Sequence, residues 1–138
     1  MATFNCAVVT PSESVLEAEV AHVEFPQWDG SRGILAGAAP FVAKLGAGRL
    51  SIKDAKGTSH DYMLAGGFAE MHDNTLVLVA DEVIAENDLD VAVAEARLVE
   101  AIAAVTEEGR SDPLDRERLE MARMRATVEV AMAKERRA

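Results

Sequence analysis

"FAEMHDNTLVLVADEVIAENDLDVAVAEARLVEAIAAV", residues 68–105, changes its period part-way along. Up to Ile84 it reads as two strands around Asp73-Asn74, residue types that tolerate the left-handed turn of a β-hairpin. From Asn87 onward the apolar residues Leu89, Ala92, Val93, Ala96, Val99 and Ala103 recur at helical spacing. They predict the apolar stripe of an amphipathic helix, capped by Asn87 or Asp88 and stopped by Gly109. A strand-rich half therefore gives way to a helical half, with the boundary between residues 86 and 87.

Toward the N-terminus the strand pattern continues. "TFNCAVVT" (3–10) is an apolar run broken by Pro11-Ser12. In "SVLEAEVAHVEFPQ" (14–27) Leu16, Ala18 and Val20 alternate with Glu17 and Glu19. The parity then switches, which predicts a bulge at Ala21 and an end at Pro26. "GRLSIKDAKGTSHDYML" (48–64) reads as two strands around Lys56-Gly57-Thr58-Ser59. Short strands with turn signals between them predict a sandwich or barrel.

Toward the C-terminus a second helix restarts in "SDPLDRERLEMARMRATVEVAMAKERR" (111–137). Asp112 suits its cap, Pro113 its first position, and Asp115 the positive end of its dipole. Its predicted stripe is Leu114, Met121, Met124, Val128, Ala131 and Met132. The link of about four residues predicts an antiparallel hairpin. Eleven residues from Asp88 to Ala138 are alanine, which favours helix but contributes little apolar area on burial. We expect a hairpin that is helical but loosely docked. The expected division is a β-domain over 1–86 and a helical hairpin over 87–138.

Bulk composition narrows the function classes. The 138 residues, 49% of them hydrophobic, suffice for one domain with a small appendage. A net charge of −10 argues against nucleic-acid binding and against an anionic lipid surface. The charge is polarised: residues 1–109 carry 18 acidic and 6 basic side chains (−12), and residues 110–138 carry 6 and 8 (+2). The basic tail points to an electrostatic partner. The single cysteine, Cys6, lies in an apolar run and reads as a small buried hydrophobe. No run approaches the roughly 18 apolar residues of a membrane span. The first residues lack a basic n-region or an Arg-rich transit pattern, so we expect a soluble protein of bacterial type.

Chemistry is hard to place. His22, His60 and His72 fall in no metal-ligand spacing and beside no nucleophile pattern. Asp88 and Asp90 are two apart, so they do not share a helix face. The segment "GSRGILAGAAP" (30–40) lacks the lysine of a phosphate loop, and Pro40-Phe41 stand where a helix should open. "GAGRL" (46–50) reads as a turn. We expect no catalytic site, no metal and no cofactor.

Several motifs, in order, resemble the ε subunit of F-type ATP synthase. Gly30, Gly33, Ile34, Gly37, Ala39 and Pro40 match that family's glycine segment in register. Ala65-Gly66-Gly67, Ala80-Asp81 and Leu89-Asp90 match three further motifs at family spacing. The resemblance implies a ten-stranded β-sandwich followed by a two-helix hairpin. It implies a non-catalytic rotor part of the central stalk, peripheral on the cytoplasmic face of a bacterial membrane. The implied partners are the γ subunit, the polar loops of the membrane c-ring and, through the hairpin, the catalytic α/β head. A stand-alone nucleotide-sensing module on the same fold is the alternative. Against it, Val93 stands where the family's ATP motif has arginine, and Glu100 follows where a second basic residue would help. Partner-contact candidates are Trp28, Asp29, Ser31 and Arg32 at one loop. To these we add Ala38, where a small residue changes the family's contact point with γ. Arg116, Arg118, Arg123 and Arg125 on the second helix complete the set, as cations expected to face outward.

Overall fold

The computed structural model of the 138-residue chain describes residues 2–107 and 113–137. Among these, seven strands precede the helices: β1 (Phe4–Val9), β2 (Ser14–Gln27), β3 (Gly30–Leu35), β4 (Phe41–Lys44), β5 (Ala47–Asp54), β6 (Ser59–His72) and β7 (Thr75–Ala85). A 3-10 turn over Glu86–Asp88 leads to α1 (Val91–Glu107) and α2 (Pro113–Arg137). The expected caps and stops at Gly109 and Asp112 lie outside the described residues.

The strand count is seven, not the ten that the resemblance implied. The difference comes from β2, β6 and β7, which run unbroken while changing neighbours half-way. The first half of β2 pairs with β1, and its second half pairs with β3 and β5. The first half of β6 pairs with β5, and its last residues with β4. Strand β7 holds β6 along its length, and its first half adds a parallel pairing to β1. Each long strand thus serves both layers of a closed sandwich.

The points of change are visible locally. The register of β2 shifts between Val20 and His22, the bulge expected at Ala21. In β6 the change falls at Gly66 and Gly67, with φ of 73° and 111°. Gly66 N–H donates to the Gly46 carbonyl (3.0 Å) and Leu45 N–H donates to the Gly67 carbonyl (2.8 Å), so the strand swaps partners without orphaning backbone groups. A Cβ on Gly67 would run into the Val79 carbonyl. The β6–β7 turn is Asp73-Asn74, both left-handed at φ 49° and 57°. Asn74 also ties the turn down: its side-chain N–H donates to the Thr3 carbonyl and its oxygen accepts from Gly37 N–H, both at 3.0 Å.

Two readings of the sequence are corrected here. Pro26 does not end β2; it is a buried strand residue opposite Ser31, and its carbonyl accepts from Gly46 N–H (3.0 Å). Gly48 is no turn residue but lies within β5 opposite Leu64. The glycines are there because the chains touch: a Cβ on Gly48 would sit 2.8 Å from Pro26 Cβ.

The sandwich core is aliphatic. Phe4, Val8, Val20, Val23, Phe25, Leu45, Leu50, Ile52, Leu64, Met71, Leu76 and Leu78 are almost wholly buried between the layers. Cys6 lies among them, and burial pushes its thiol pKa up to about 12, as expected of a structural cysteine. A second, smaller cluster joins the hairpin to the sheet: Met63 and Ala65 of β6, Leu89, and Met132 and Ala133 of α2.

Candidate functional site

Three features lie outside the core packing: the seat of the hairpin, the β2–β3 turn, and one uncovered sheet face.

At the seat, α2 crosses β5 and β6 while α1 packs on α2. The helix faces differ from the expected stripes. On α1 the inward residues are Ala94, Leu98, Ala101, Ala104 and Val105; of the predicted stripe Leu89, just before the helix, is buried in the seat, but Ala92, Val93, Ala96 and Ala103 are exposed and Val99 is 69% exposed. On α2 the most buried residues are Ala126, Glu129, Val130, Met132 and Ala133; of the expected stripe Met132 is buried and Met121 and Val128 are half-buried, whereas Met124 and Ala131 are exposed and the Leu114 side chain lies outside the described ones. The cap of α1 is neither Asn87 nor Asp88: Asp90 accepts from Val93 N–H (3.1 Å).

Glu129 is the buried charged residue of the seat, and its charge is answered within a ring of four side chains. Arg125 of α2 makes a bidentate ion pair with Glu82 of β7, one bond at 2.5 Å, and donates to Glu129 at 2.6 Å. Arg97 of α1 reaches Glu129 at 3.4 Å and Glu82 at 4.0 Å. The Glu129 and Arg125 side chains are 3% and 14% exposed. The Arg125 guanidinium is penalised by burial, but the hydrogen bonds and charges of Glu82 and Glu129 outweigh this and raise its pKa above the usual range. Arg125 is therefore an internal residue of the docked hairpin and not the outward cation expected. Arg116 is exposed and Arg123 pairs with Glu120 (2.9 Å); Arg118 is exposed. Peripheral pairs join hairpin to sheet at Lys44–Glu117 (3.2 Å) and Arg49–Glu135 (3.0 Å).

Beside the ring is a cleft of about 400 Å³ lined by Glu82, Arg97, Glu100, Ala101, Ala104, Ala122 and Arg125. Its two cations are already paired with carboxylates, and Glu100 adds a further negative charge to the lining. Val93 is not among the lining residues; it is 47% exposed on the helix surface.

At the β2–β3 turn Trp28 is 66% exposed. Asp29 accepts from the Gln27 amide (2.7 Å), and Arg32 donates to the Gln27 oxygen (3.2 Å) while stacking over Phe41 at 3.8 Å. Ser31 is exposed beside them on β3. Four of the expected contact residues thus lie together at one turn, with Arg32 placed by Gln27 and Phe41 and Trp28 standing clear of the core. Ala38 is separate: it is half-buried and packs against the core cluster.

The third feature was not singled out from the sequence. On the face shared by β4, β6 and β7, Val42 (70%), Phe68 (59%) and Val79 (48%) are exposed. The register puts Phe68 directly opposite Val79, which in turn sits opposite Val9 of β1. Exposed Glu70 lies opposite Val42 and exposed Lys44 opposite Phe68, so the apolar side chains on this face are flanked by charge. The signal was present in the alternation of "FVAK" and "LVLVA", but alternation alone does not say which face the second layer covers.

Comparison with known proteins decides the family. Residues 3–86 match the profile of the ATP synthase delta/epsilon chain, β-sandwich domain. The chain belongs to the ATP synthase epsilon-chain family. It is 37% identical to the ATP synthase epsilon chain of Bradyrhizobium sp. (strain ORS 278) over 116 residues, 84% of each chain. It is 40% identical to the sodium-ion-specific epsilon chain of Propionigenium modestum over 91 residues, 66% of each chain. The fold is also similar to a chain of the Euglena gracilis mitochondrial ATP synthase (TM-score 0.79, 24% identity, 95% of this chain and 81% of that one). For this epsilon-family chain, the family profile covers the sandwich. The Bradyrhizobium match, longer than the sandwich, takes in part of the hairpin.

Proposed function

We propose that this chain is a non-catalytic rotor subunit in the central stalk of an F-type ATP synthase, coupling ion translocation to ATP synthesis. The observation that carries the reading is the 84% reciprocal coverage of the Bradyrhizobium epsilon chain at 37% identity. The sandwich (1–86) is the docking unit and the hairpin (87–138) the regulatory one. The partners are γ, the polar loops of the c-ring and the α/β head, at the cytoplasmic face of a bacterial membrane.

Two surfaces support this division of contacts. The exposed Phe68–Val79 pair, flanked on the same face by Val42, Lys44 and Glu70, combines apolar area with a charged rim, which suits a protein neighbour such as γ. The Trp28–Asp29–Ser31–Arg32 turn combines an exposed aromatic anchor with a fixed cation, which suits the polar loops of a ring. Ala38, half-buried against the core, contributes packing there rather than a hydrogen bond to γ. Arg116, Arg118 and Arg123 supply the cations by which a lifted α2 would meet an acidic surface of the head and restrain hydrolysis. The nucleotide-sensing alternative is disfavoured by the cleft itself, whose arginines already face carboxylates.

Capture of the intact chain from its own cells, with mass spectrometry of the co-purifying proteins, tests the reading. The expected companions are the other stalk and head subunits. A chain that purifies without them refutes the stalk role. Deleting residues 112–138 is expected to raise ATPase activity of the assembled head; unchanged activity refutes the restraining role alone.

A further inference from the structure

We infer that the Arg125–Glu82–Arg97–Glu129 ring is a latch that holds the hairpin on the sandwich. The inference concerns the isolated chain and does not rest on the stalk role.

The geometry is that of a closed, alternating circuit. Arg125 is hydrogen-bonded to both carboxylates, and Arg97 is hydrogen-bonded to Glu129 and lies 4.0 Å from Glu82. The four residues come from three elements: Glu82 from β7, Arg97 from α1, and Arg125 with Glu129 from α2. Opening the hairpin away from the sheet must break the Arg125–Glu82 pair. Parting the two helices must break the Arg97–Glu129 pair. The ring therefore registers both movements at once.

Its weight in the docked state comes from its surroundings. The apolar seat is small, with Met63, Ala65, Leu89, Met132 and Ala133 as its buried members, two of them alanine. Alanine contributes little area, so the apolar contact alone holds the hairpin weakly. The peripheral pairs Lys44–Glu117 and Arg49–Glu135 include side chains 54%, 65% and 68% exposed, so salt screens them. Glu129, at 3% exposure, has no such screening. Its buried charge is offset by Arg125 at 2.6 Å and Arg97 at 3.4 Å, and loses part of that compensation when either is removed. Lifting α2 separates Arg125 from Glu82, and parting the helices removes Arg97 from Glu129. The charges re-pair with water at the expense of a bidentate bond. The docked state is thus held by a contact that depends on three elements being in register.

The test uses the full chain with nitroxide spin labels at two introduced cysteines, Lys53→Cys on β5 and Ala131→Cys on α2, both exposed positions outside the ring. Cys6 stays unlabelled because its thiol is buried. Electron–electron dipolar spectroscopy then reads docked and lifted populations as distances. The unsubstituted ring is expected to give one dominant short distance that persists at high salt. Glu82→Gln, which keeps shape and removes charge, is expected to raise the long-distance population by about tenfold. Arg125→Met, which leaves the buried Glu129 with Arg97 alone and Glu82 without its bidentate partner, is expected to raise it by about a hundredfold. The double variant is expected to fall close to Arg125→Met alone, because both substitutions cut one circuit.

The melting temperature of the sandwich, measured in parallel, separates a latch from general stability. A hairpin that lifts while the sandwich melts unchanged supports the latch. If Arg125→Met unfolds the whole chain, Glu82→Gln and the salt titration still decide. The inference is overturned if Glu82→Gln leaves the distance distribution unaltered. It is also overturned if the unsubstituted chain undocks in parallel with screening of the exposed pairs.

Discussion

Gly67→Ala is expected to damage the sandwich far more than Gly57→Ala, although both glycines have positive φ. At Gly57 (φ 86°) nothing lies within 4 Å of a Cβ position, so the change costs backbone strain alone, about 1 kcal/mol. At Gly67 (φ 111°) a Cβ would also collide with the Val79 carbonyl and approach Ala80 Cα to 2.9 Å. Those atoms are backbone, held in the β6–β7 ladder through the Gly67–Ala80 pair, so they cannot swing aside as a side chain tip does. Strain of about 1–3 kcal/mol and overpacking of a similar size then add, for a total of roughly 2–6 kcal/mol. A domain of this size loses about 4–8 °C of melting temperature per kcal/mol, so a fall of at least about 8 °C is expected. Gly57→Ala should cost no more than about 8 °C by the same scale. The assay is thermal unfolding by near- and far-ultraviolet circular dichroism on both variants and the parent. Equal losses at the two sites, or a Gly67→Ala melt within a few degrees of the parent, would show that the close approach of β6 and β7 is not what requires glycine there.

Three further outcomes rest on single features. Phe68→Ser should leave the melting temperature unchanged or raised, since the ring is 59% exposed, while weakening capture of stalk partners; loss of folding with intact capture would contradict the contact-face assignment. Cys6 should resist alkylation at neutral pH in the folded chain and react at the normal rate in denaturant, because burial holds its thiol pKa near 12. Asp54 accepts from His60 (3.0 Å), Thr58 N–H (3.0 Å) and Lys56 N–H (2.9 Å), in that order of influence, and its pKa is lowered from 3.8. The stabilising effect of this depression is present above 3.8 and is lost as pH falls through the folded-state value. Asp54→Asn should therefore show a shallower loss of stability in that acid range than the parent, measured by urea unfolding across pH.

Some of this was legible in the residues themselves. The change from strand to helical period after residue 86, the Asp73-Asn74 turn and the Ala21 bulge each rest on a local rule, a φ preference or a parity. Local rules survive whatever the rest of the chain does. Gly66 and Gly67 have a local cause in part, backbone conformations that other residues avoid, although the close approach of Val79 to Gly67 is a tertiary one. Readings that depended on a neighbour fared differently. Pro26 reads as a terminator until Gly46 and Gly48 are seen to pack against it.

The helix faces show where the sequence stops deciding. Periodicity locates a stripe by the contrast between apolar and polar sides, and alanine weakens that contrast because it is tolerated both in water and in a core. On α1 two alanine-containing stripes compete, and the one with Val99 faces solvent. On α2 the buried side includes Glu129, which no hydrophobic pattern would place inside. Its burial is possible only because Arg125 and Arg97 meet it from two helices. Short-range sterics, written in the sequence, determine which segments are strands and helices. Only the tertiary structure decides which charges are inside, because a buried carboxylate is stable or costly according to partners that lie far away in the chain.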